Sequence, residues 1–167
     1  MPRIPALLKA AAKARKNAYA PYSNFPVGAA VLAGGEIFAA CNVENSAYPL
    51  SVCAERNAVA AAVAAGHRRI DGVAVVGGEG RPAAPCGGCR QVLAEFCPPG
   101  TVLIYASGDG EAVETLVGDL LPQAFGPVDL RETAGEPTRK PPARSRKASP
   151  GRGRSSARVR GTRSSGR

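Results

Sequence analysis

The feature that most constrains this chain is a set of three cysteines divided between two short motifs. Cys53-Ala54-Glu55 is the first, and residues 85–90, Pro-Cys-Gly-Gly-Cys-Arg, contribute Cys86 and Cys89. Three thiolates can hold one Zn2+ ion and leave its fourth position open for water, whereas a closed structural site needs a fourth protein ligand. A carboxylate two residues from the first ligand can move that water's proton. The pattern predicts a catalytic zinc site with the three cysteines as ligands and Glu55 as proton shuttle.

Cysteines at this spacing have other uses. A Cys-x-x-Cys pair also occurs in structural zinc knuckles, redox sites and ordinary cores. The open coordination position and the nearby glutamate favour the catalytic interpretation. His67 is the single histidine of the chain, and its place in a His67-Arg68-Arg69 turn after an alanine-rich run indicates a solvated loop residue, not a ligand.

Both cysteine motifs are predicted to lie at helix starts. The N-terminus of a helix carries partial positive charge and free N–H groups, which favour a thiolate over a thiol. Three thiolates on one Zn2+ ion leave a net negative charge, which Arg56 and Arg90, each directly beside a ligand, would offset. Either arginine alone is equally well explained as a solvated cation on the helix surface.

The positive charge of the chain is confined to one end. Residues 1–130 hold ten Lys/Arg and eleven Asp/Glu, a net charge of −1, whereas residues 131–167 hold twelve Lys/Arg and two Asp/Glu, a net charge of +10. The second segment has too few large apolar residues to offset its ordering entropy. We therefore expect one folded domain at 1–130 and a disordered basic tail at 131–167, which either contacts nucleic acid non-specifically or is a solvated extension.

Neither export nor membrane insertion is expected. Residues 1–20 are interrupted by lysines and arginines and lack the continuous apolar core of a secretory signal. The longest apolar run, 58–65, is about a third of a membrane span. The five cysteines then indicate a reducing compartment, most simply the cytoplasm.

Hydrophobic periodicity and turn residues predict the order of the elements. Helices are predicted at 4–19, 53–66, 86–96 and 114–121, and strands at 27–33, 36–43, 70–76 and 101–106. Gly34-Gly35 between the first two strands indicates a tight hairpin, and strand–helix–strand units follow. This order predicts an α/β fold, a three-layer α/β/α sandwich with a mixed central sheet.

At these residues the sequence resembles the small cytidine deaminases, which belong to the zinc-dependent nucleobase deaminases. The resemblance runs from about Ala6 to Leu130 and, besides the zinc motifs, rests on residues 19–30, 41–45, 90–96 and 120–125. It implies a cytidine deaminase-like fold, one Zn2+ per chain, and hydrolytic conversion of cytidine and deoxycytidine to uridine and deoxyuridine with release of ammonia, as in pyrimidine salvage.

The resemblance also implies substrate contacts. In that family the Asn and Glu of an Asn-x-Glu segment hydrogen-bond the ribose, which implicates Asn42 and Glu44; turn chemistry is the alternative for both. The other implied contacts are Phe25 beside the base, the Ala54 backbone, and Tyr48 and Phe125 across subunits, although each aromatic ring could instead be core. Family members with Cys as first ligand and a core of this length are homotetramers, so a homotetramer is implied.

The sequence departs from the family pattern in two places, and three other functions compete with cytidine deamination. Ser46-Ala47 replaces the usual Ala-Ser, and the basic tail has no counterpart in the family. A deaminase of the blasticidin S type shares the run at 85–93, but the segments at 42–45, 53–56 and 120–125 favour cytidine. The open site beside Glu55 argues against a non-enzymatic zinc module that binds RNA or DNA. Editing of polynucleotide cytosines would need a basic track that residues 1–130 do not offer.

Overall fold

A computed structural model of the chain describes residues 3–134. In chain order the elements are α1 (Ile4–Arg15), β1 (Gly28–Ala33), β2 (Glu36–Cys41), a short 3-10 helix (Tyr48–Leu50), α2 (Ala54–Ala64), β3 (Gly72–Val76), α3 (Gly87–Phe96), β4 (Val102–Ala106), β5 (Ala112–Leu116), α4 (Val117–Leu120) and α5 (Pro127–Ala134). The strands form one sheet in the order β2-β1-β3-β4-β5. Its β3–β4 pair is parallel and the other pairs are antiparallel. The predicted α/β class and mixed sheet are confirmed.

Helices cover both faces of the sheet. Successive strand residues point to opposite faces, so the three central strands β1, β3 and β4 contribute to two apolar clusters. One cluster packs Leu7 and Ala11 of α1 against Ala30, Ala74, Val76 and Ala106. The other packs Ala58, Val59 and Ala62 of α2 and Leu93 of α3 against Ala29, Val31, Val73, Val75 and Leu103. The predicted three layers are therefore α1, the sheet, and α2 with α3.

The β1–β2 hairpin forms as predicted. Ala33 pairs with Glu36, and both intervening glycines have positive φ, 56° at Gly34 and 89° at Gly35. His67 lies in a loop and outside the cysteine cluster, as expected, but it is not solvated: its ring is partly buried, with its centroid 5.3 Å from that of Phe38. A Cβ on Gly34 would overlap the imidazole, so His67 packs against this hairpin.

The prediction of a helix at 114–121 was also wrong. Residues 112–116 form β5, which pairs antiparallel with β4 from Ala106↔Ala112 to Val102↔Leu116. The helix that follows, α4, is a single turn. Here pairing with the preceding strand overrides the local helical pattern, and it satisfies the free edge of β4.

The ends of several other predicted segments differ by a few residues, and the first helix and the start of the tail differ most. Helix α1 stops at Arg15, because Tyr19 leaves the helix to donate its backbone N–H to Asn42 O at 3.1 Å. Helix α5 was not predicted, and it continues through Ala134 into the segment assigned to the tail. The remainder of that segment, 135–167, lies outside the described residues, so the domain division stays a prediction. Among residues 3–134 no helix is long and apolar enough to cross a membrane.

Candidate active site and metal centre

The two cysteine motifs converge because each begins a helix on the same face of the sheet. Cys53 is the N-cap residue of α2, and Cys86 is the N-cap residue of α3 with Cys89 in its first turn. The Sγ atoms of Cys53 and Cys86 lie 3.9 Å apart, and those of Cys86 and Cys89 lie 3.4 Å apart. All three sulfur atoms fall within 4.8 Å of one another. The structure thus brings together the three residues predicted as ligands.

The spacing of these sulfur atoms fits a zinc ion. With Zn–S bonds of about 2.3 Å in a tetrahedral site, neighbouring sulfur atoms should be about 3.8 Å apart. The observed separations of 3.9 and 3.4 Å bracket that value. Zinc is therefore the cofactor of this site, and three donors leave one tetrahedral position open for a water molecule or substrate.

Two of the cysteines differ in their pKa values. A hydrogen bond from the Cys89 thiol, with smaller contributions from Cys86 and Arg56, lowers the pKa of Cys53 to about 5. The same hydrogen bond to Cys53, together with burial, raises the pKa of Cys89 far above its ordinary value. The cluster thus already favours a thiolate at Cys53, and a divalent cation would displace the remaining protons.

Glu55 lies in the first turn of α2 and is almost fully buried, with 5% of its surface exposed. Burial raises the pKa of its carboxyl group, and the neighbouring Cys53 thiolate acts in the same direction. It lines a cleft of about 150 Å³ whose walls are Val27, Asn42, Cys53, Ala54, Glu55, Val75, Ala83, Ala84 and Cys86. A carboxyl group with raised pKa beside a metal site is well placed for proton transfer.

The two arginines beside the ligands differ in their contacts. Arg56 Nη2 donates to the Ser51 carbonyl at 2.9 Å and lies 4.0 Å from Cys53 Sγ. Arg90 instead donates from Nε to Pro85 O at 2.9 Å and from Nη1 to Leu120 O at 3.2 Å. Both side chains are partly buried, so neither is a solvated surface cation. Arg56 is the one whose charge directly faces a ligand sulfur.

Asn42 and Glu44 line different cavities. Asn42 is buried in the metal-side cleft, where its Oδ1 accepts from Val27 N at 2.9 Å and its Nδ2 donates to Phe25 O at 3.1 Å. Glu44 lines a second, more open cavity of about 360 Å³ with Tyr22, Ser23, Tyr48 and Ser51. Its carboxylate accepts from Tyr22 N at 2.9 Å, and hydrogen bonds led by the Ser23 hydroxyl lower its pKa.

The three aromatic residues lie at the surface of the single chain. The exposed fractions are 46% for Phe25, 71% for Tyr48 and 61% for Phe125. Phe25 packs over the end of β3, where a Cβ on Gly78 would lie 3.0 Å from its ring. Tyr48 meets Tyr22 edge to face at a centroid distance of 5.9 Å. The core alternative is excluded for Tyr48 and Phe125 within one copy of the chain.

Sequence reasoning did not identify several residues that line the two cavities, among them Ala83, Ala84 and Ser23. Ala83 and Ala84 line the metal-side cleft from the loop before Cys86, and Ser23 contacts Glu44 in the second cavity. The alanines carry no chemical signal that a motif search could detect. Ser23 lies within the stretch 19–30 that supports the family resemblance, but the sequence does not indicate its contact with Glu44.

Comparison with known proteins gives one consistent result. Residues 1–105 match the family model described as the cytidine and deoxycytidylate deaminase zinc-binding region. The chain is 49% identical over 130 residues to a cytidine deaminase of Sporosarcina psychrophila, which covers 77% of this chain and 95% of that protein. It is 44% identical over 127 residues to a cytidine deaminase of Halalkalibacterium halodurans, covering 75% of this chain and 96% of that protein.

A solved structure agrees with these matches. The crystal structure of cytidine deaminase from Burkholderia pseudomallei superposes with a TM-score of 0.70 at 49% sequence identity. The superposition covers 73% of this chain and 98% of that one. The similarity therefore extends over nearly the whole of the solved relative.

Proposed function

The chain belongs to the cytidine and deoxycytidylate deaminase family, and we propose that it hydrolyses cytidine and deoxycytidine to uridine and deoxyuridine, releasing ammonia. One observation carries this function: the buried carboxyl group of Glu55 and the sulfur atoms of Cys53 and Cys86 line the same cleft. A metal site with an open position and an adjacent proton carrier is what hydrolytic deamination needs.

The cysteines and Glu55 divide the chemistry. Cys53, Cys86 and Cys89 hold one Zn2+ ion, which when bound lowers the pKa of a coordinated water and supplies a nucleophile at neutral pH. Glu55 accepts a proton from the attacking water and delivers it to ring nitrogen N3. It then takes a second proton from the hydroxyl group added at C4 and gives it to the amino group, which leaves as ammonia while the C4 carbonyl forms. Burial raises the pKa of this carboxyl group above its ordinary value, which helps it to hold a proton between the two transfers.

The base and sugar occupy adjoining spaces in this proposal. The metal-side cleft of about 150 Å³, with Ala54 and Ala83 in its wall, takes the pyrimidine. Phe25 lies near this wall, since a Cβ on Gly77 would contact both Ala83 and the Phe25 ring. Asn42 retains one Nδ2 hydrogen, and Glu44 retains acceptor capacity after its bonds to residues 22 and 23. Both groups therefore remain able to bind ribose hydroxyls.

The assembly we propose is a homotetramer in which Tyr48 and Phe125 complete sites across subunits. Large exposed apolar residues support this: Tyr48, Leu50, Phe125 and Val128 are each more than 60% exposed in the single chain. Such surfaces commonly mark protein interfaces. Light scattering tests the assembly, and a fully active monomer would contradict both the tetramer and the shared site.

Two further proposals concern the cell. The basic segment 131–167 makes non-specific contact with nucleic acid, supported by its net charge of +10. The enzyme works in the cytoplasm, since a reducing compartment keeps the cysteine ligands available for zinc. Neither proposal alters the chemistry of the cleft.

The activity itself is tested by following absorbance during incubation with cytidine, deoxycytidine, free cytosine and blasticidin S. We expect turnover of both nucleosides and poor turnover of cytosine, because a site built to bind ribose hydroxyls leaves polar groups unpaired without them. Glu44→Ala should narrow the gap between cytidine and cytosine. Equal kcat/KM for cytosine and cytidine would refute the ribose assignment, and preference for blasticidin S would refute the substrate class.

A further inference from the structure

Ser23 forms a polar link between the two residues that we place on either side of the nucleoside. Its hydroxyl donates to Oε1 of Glu44 and accepts from the Phe25 backbone N–H at 3.1 Å. Its own backbone N–H donates to Oε2 of Glu44 at 3.2 Å. A single short side chain thus contacts the proposed sugar ligand and the residue whose ring borders the base.

Asn42 connects the same two segments through a further hydrogen bond. Its Nδ2 donates to Phe25 O at 3.1 Å, and Glu44, two residues after Asn42, accepts from the Ser23 hydroxyl. The segment between is anchored by Tyr19, whose backbone donates to Asn42 O at 3.1 Å and accepts from Glu44 N at 2.8 Å. The loop and the strand end are therefore fixed to each other at several points.

The backbone between Ser23 and Phe25 is unusual. Asn24 has φ of 54°, the one positive φ outside glycine among the described residues. Asparagine tolerates this left-handed conformation better than most residues, yet it still costs free energy. The Ser23 hydroxyl bridges this residue by accepting from Phe25 N, so it stabilises the turn that sets the direction of the Phe25 side chain.

We propose that Ser23 is a positioning residue for the deamination reaction, which holds the Glu44 carboxylate and Phe25 in a fixed relation so that ribose and base bind in one orientation. This rests on the proposed function. The Ser23 hydroxyl is also the largest cause of the lowered pKa of Glu44, as expected for a hydrogen bond that favours the ionised carboxylate. A preorganised contact loses less entropy when the substrate binds.

Kinetics of Ser23→Ala and Ser23→Thr test the proposal. Because Ser23 is exposed and outside the metal centre, both variants should fold and retain zinc. Ser23→Ala should lower kcat/KM for cytidine roughly 10-fold, mainly through KM, since one charge-assisted hydrogen bond is lost. Ser23→Thr keeps the hydroxyl and should stay within about 2-fold of the unmodified enzyme. Ser46→Ala, at another exposed serine, is the matched control.

A double-mutant cycle decides whether Ser23 acts through Glu44. If it does, Ser23→Ala should change kcat/KM by less than about 2-fold in a Glu44→Ala background, because its partner is already gone. Unchanged cytidine kinetics in Ser23→Ala, or losses that simply multiply in the double variant, would overturn the proposal.

Hydrogen exchange provides a readout that needs no substrate. In Ser23→Ala the backbone N–H of Phe25 loses its acceptor, so a peptide covering residues 19–27 should exchange faster than in the unmodified chain and in Ser23→Thr. Equal exchange in all three chains would contradict the link. If the unmodified protein failed to turn over cytidine, the proposed function would fall while this test of the Ser23 network would still stand.

Discussion

Nη2 of Arg56 lies 4.0 Å from Sγ of Cys53, close enough for the guanidinium charge to act on a metal ligand. Its hydrogen bond to the Ser51 carbonyl at 2.9 Å holds it there. A cluster of three thiolates and one Zn2+ ion carries net negative charge, which makes a coordinated water less acidic. We expect the positive charge of Arg56 to offset this effect.

Arg56→Gln should therefore impair the chemistry while leaving the fold intact. We expect a loss of about 10-fold in zinc affinity or kcat, the range typical for groups that support metal ligands. Arg90→Gln is the comparison, because Arg90 binds the Pro85 and Leu120 carbonyls and should mainly affect thermal stability. Steady-state kinetics at equal zinc content compare the two variants. A larger loss of kcat in Arg90→Gln than in Arg56→Gln would show that Arg90, not Arg56, compensates the charge of the metal centre.

Cys86→Ala should abolish stoichiometric zinc binding. Two remaining thiolates cannot hold the ion as three do, because structural and catalytic zinc sites use at least three protein ligands. Metal analysis of the purified variant measures this directly. Cys41→Ala is the control, because Cys41 is not part of the cysteine cluster. Its thiol donates to Asn17 O at a distance of 3.3 Å. Full zinc retention in Cys86→Ala would remove the basis of the metal assignment.

The zinc site could be predicted from the sequence because its determinants are local. A cysteine before a helical pattern, and two cysteines three apart at the start of another, define helix starts whatever the surrounding fold. The structure adds what the spacing alone could not give, a separation of 3.9 Å between the sulfur atoms of Cys53 and Cys86, which lie at the starts of different helices. The family resemblance supplied the substrate contacts, which remain predictions.

The features that escaped prediction depend on contacts that local periodicity does not show. Strand β5 forms a hairpin with β4 across residues 107–111, and the partly buried His67 packs against Phe38 from a separate element. The Ser23 link to Glu44 joins residues on two different loops, and no local pattern reveals it. Local periodicity predicted most of the helices and the first hairpin, and it failed where pairing with another segment decided the conformation.

The remaining cysteines should differ in reactivity. Cys97 is 5% exposed, and burial raises its pKa to about 12, so little thiolate is present near neutral pH. Alkylation of the zinc-loaded protein at about pH 8, followed by peptide mass mapping, should label the partly exposed Cys41 well before Cys97. Labelling of Cys97 as fast as Cys41 in the folded protein would show that its surroundings open more readily than described.

Removing residues 135–167 should leave nucleoside deamination almost unchanged, since the predicted ligands and Glu55 precede the cut and α5 is retained. The cut lowers the formal net charge from +9 to −1, because 135–167 hold eleven Lys/Arg and one Asp/Glu. Any affinity for nucleic acid should disappear with it. For the full chain, the binding constant for duplex DNA should fall as salt concentration rises. Each tenfold increase in salt should lower log K by about 0.9 for every phosphate that the protein neutralises.

Filter binding across a salt series and cytidine kinetics on both chains measure these effects. Loss of cytidine turnover in a folded, zinc-loaded truncated chain would show instead that the basic segment belongs to the working enzyme.

The central claim is that Glu55 moves the protons of a zinc-dependent deamination, and cytidine turnover by Glu55→Gln tests it most directly. The amide preserves the size of the side chain but cannot shuttle a proton, so the variant should fold and bind zinc as the unmodified enzyme does. Ultraviolet absorbance measures the turnover, and the predicted result is a loss of ~10^2-fold or more in kcat at equal zinc content. Near-normal kcat in zinc-loaded Glu55→Gln would contradict the mechanism.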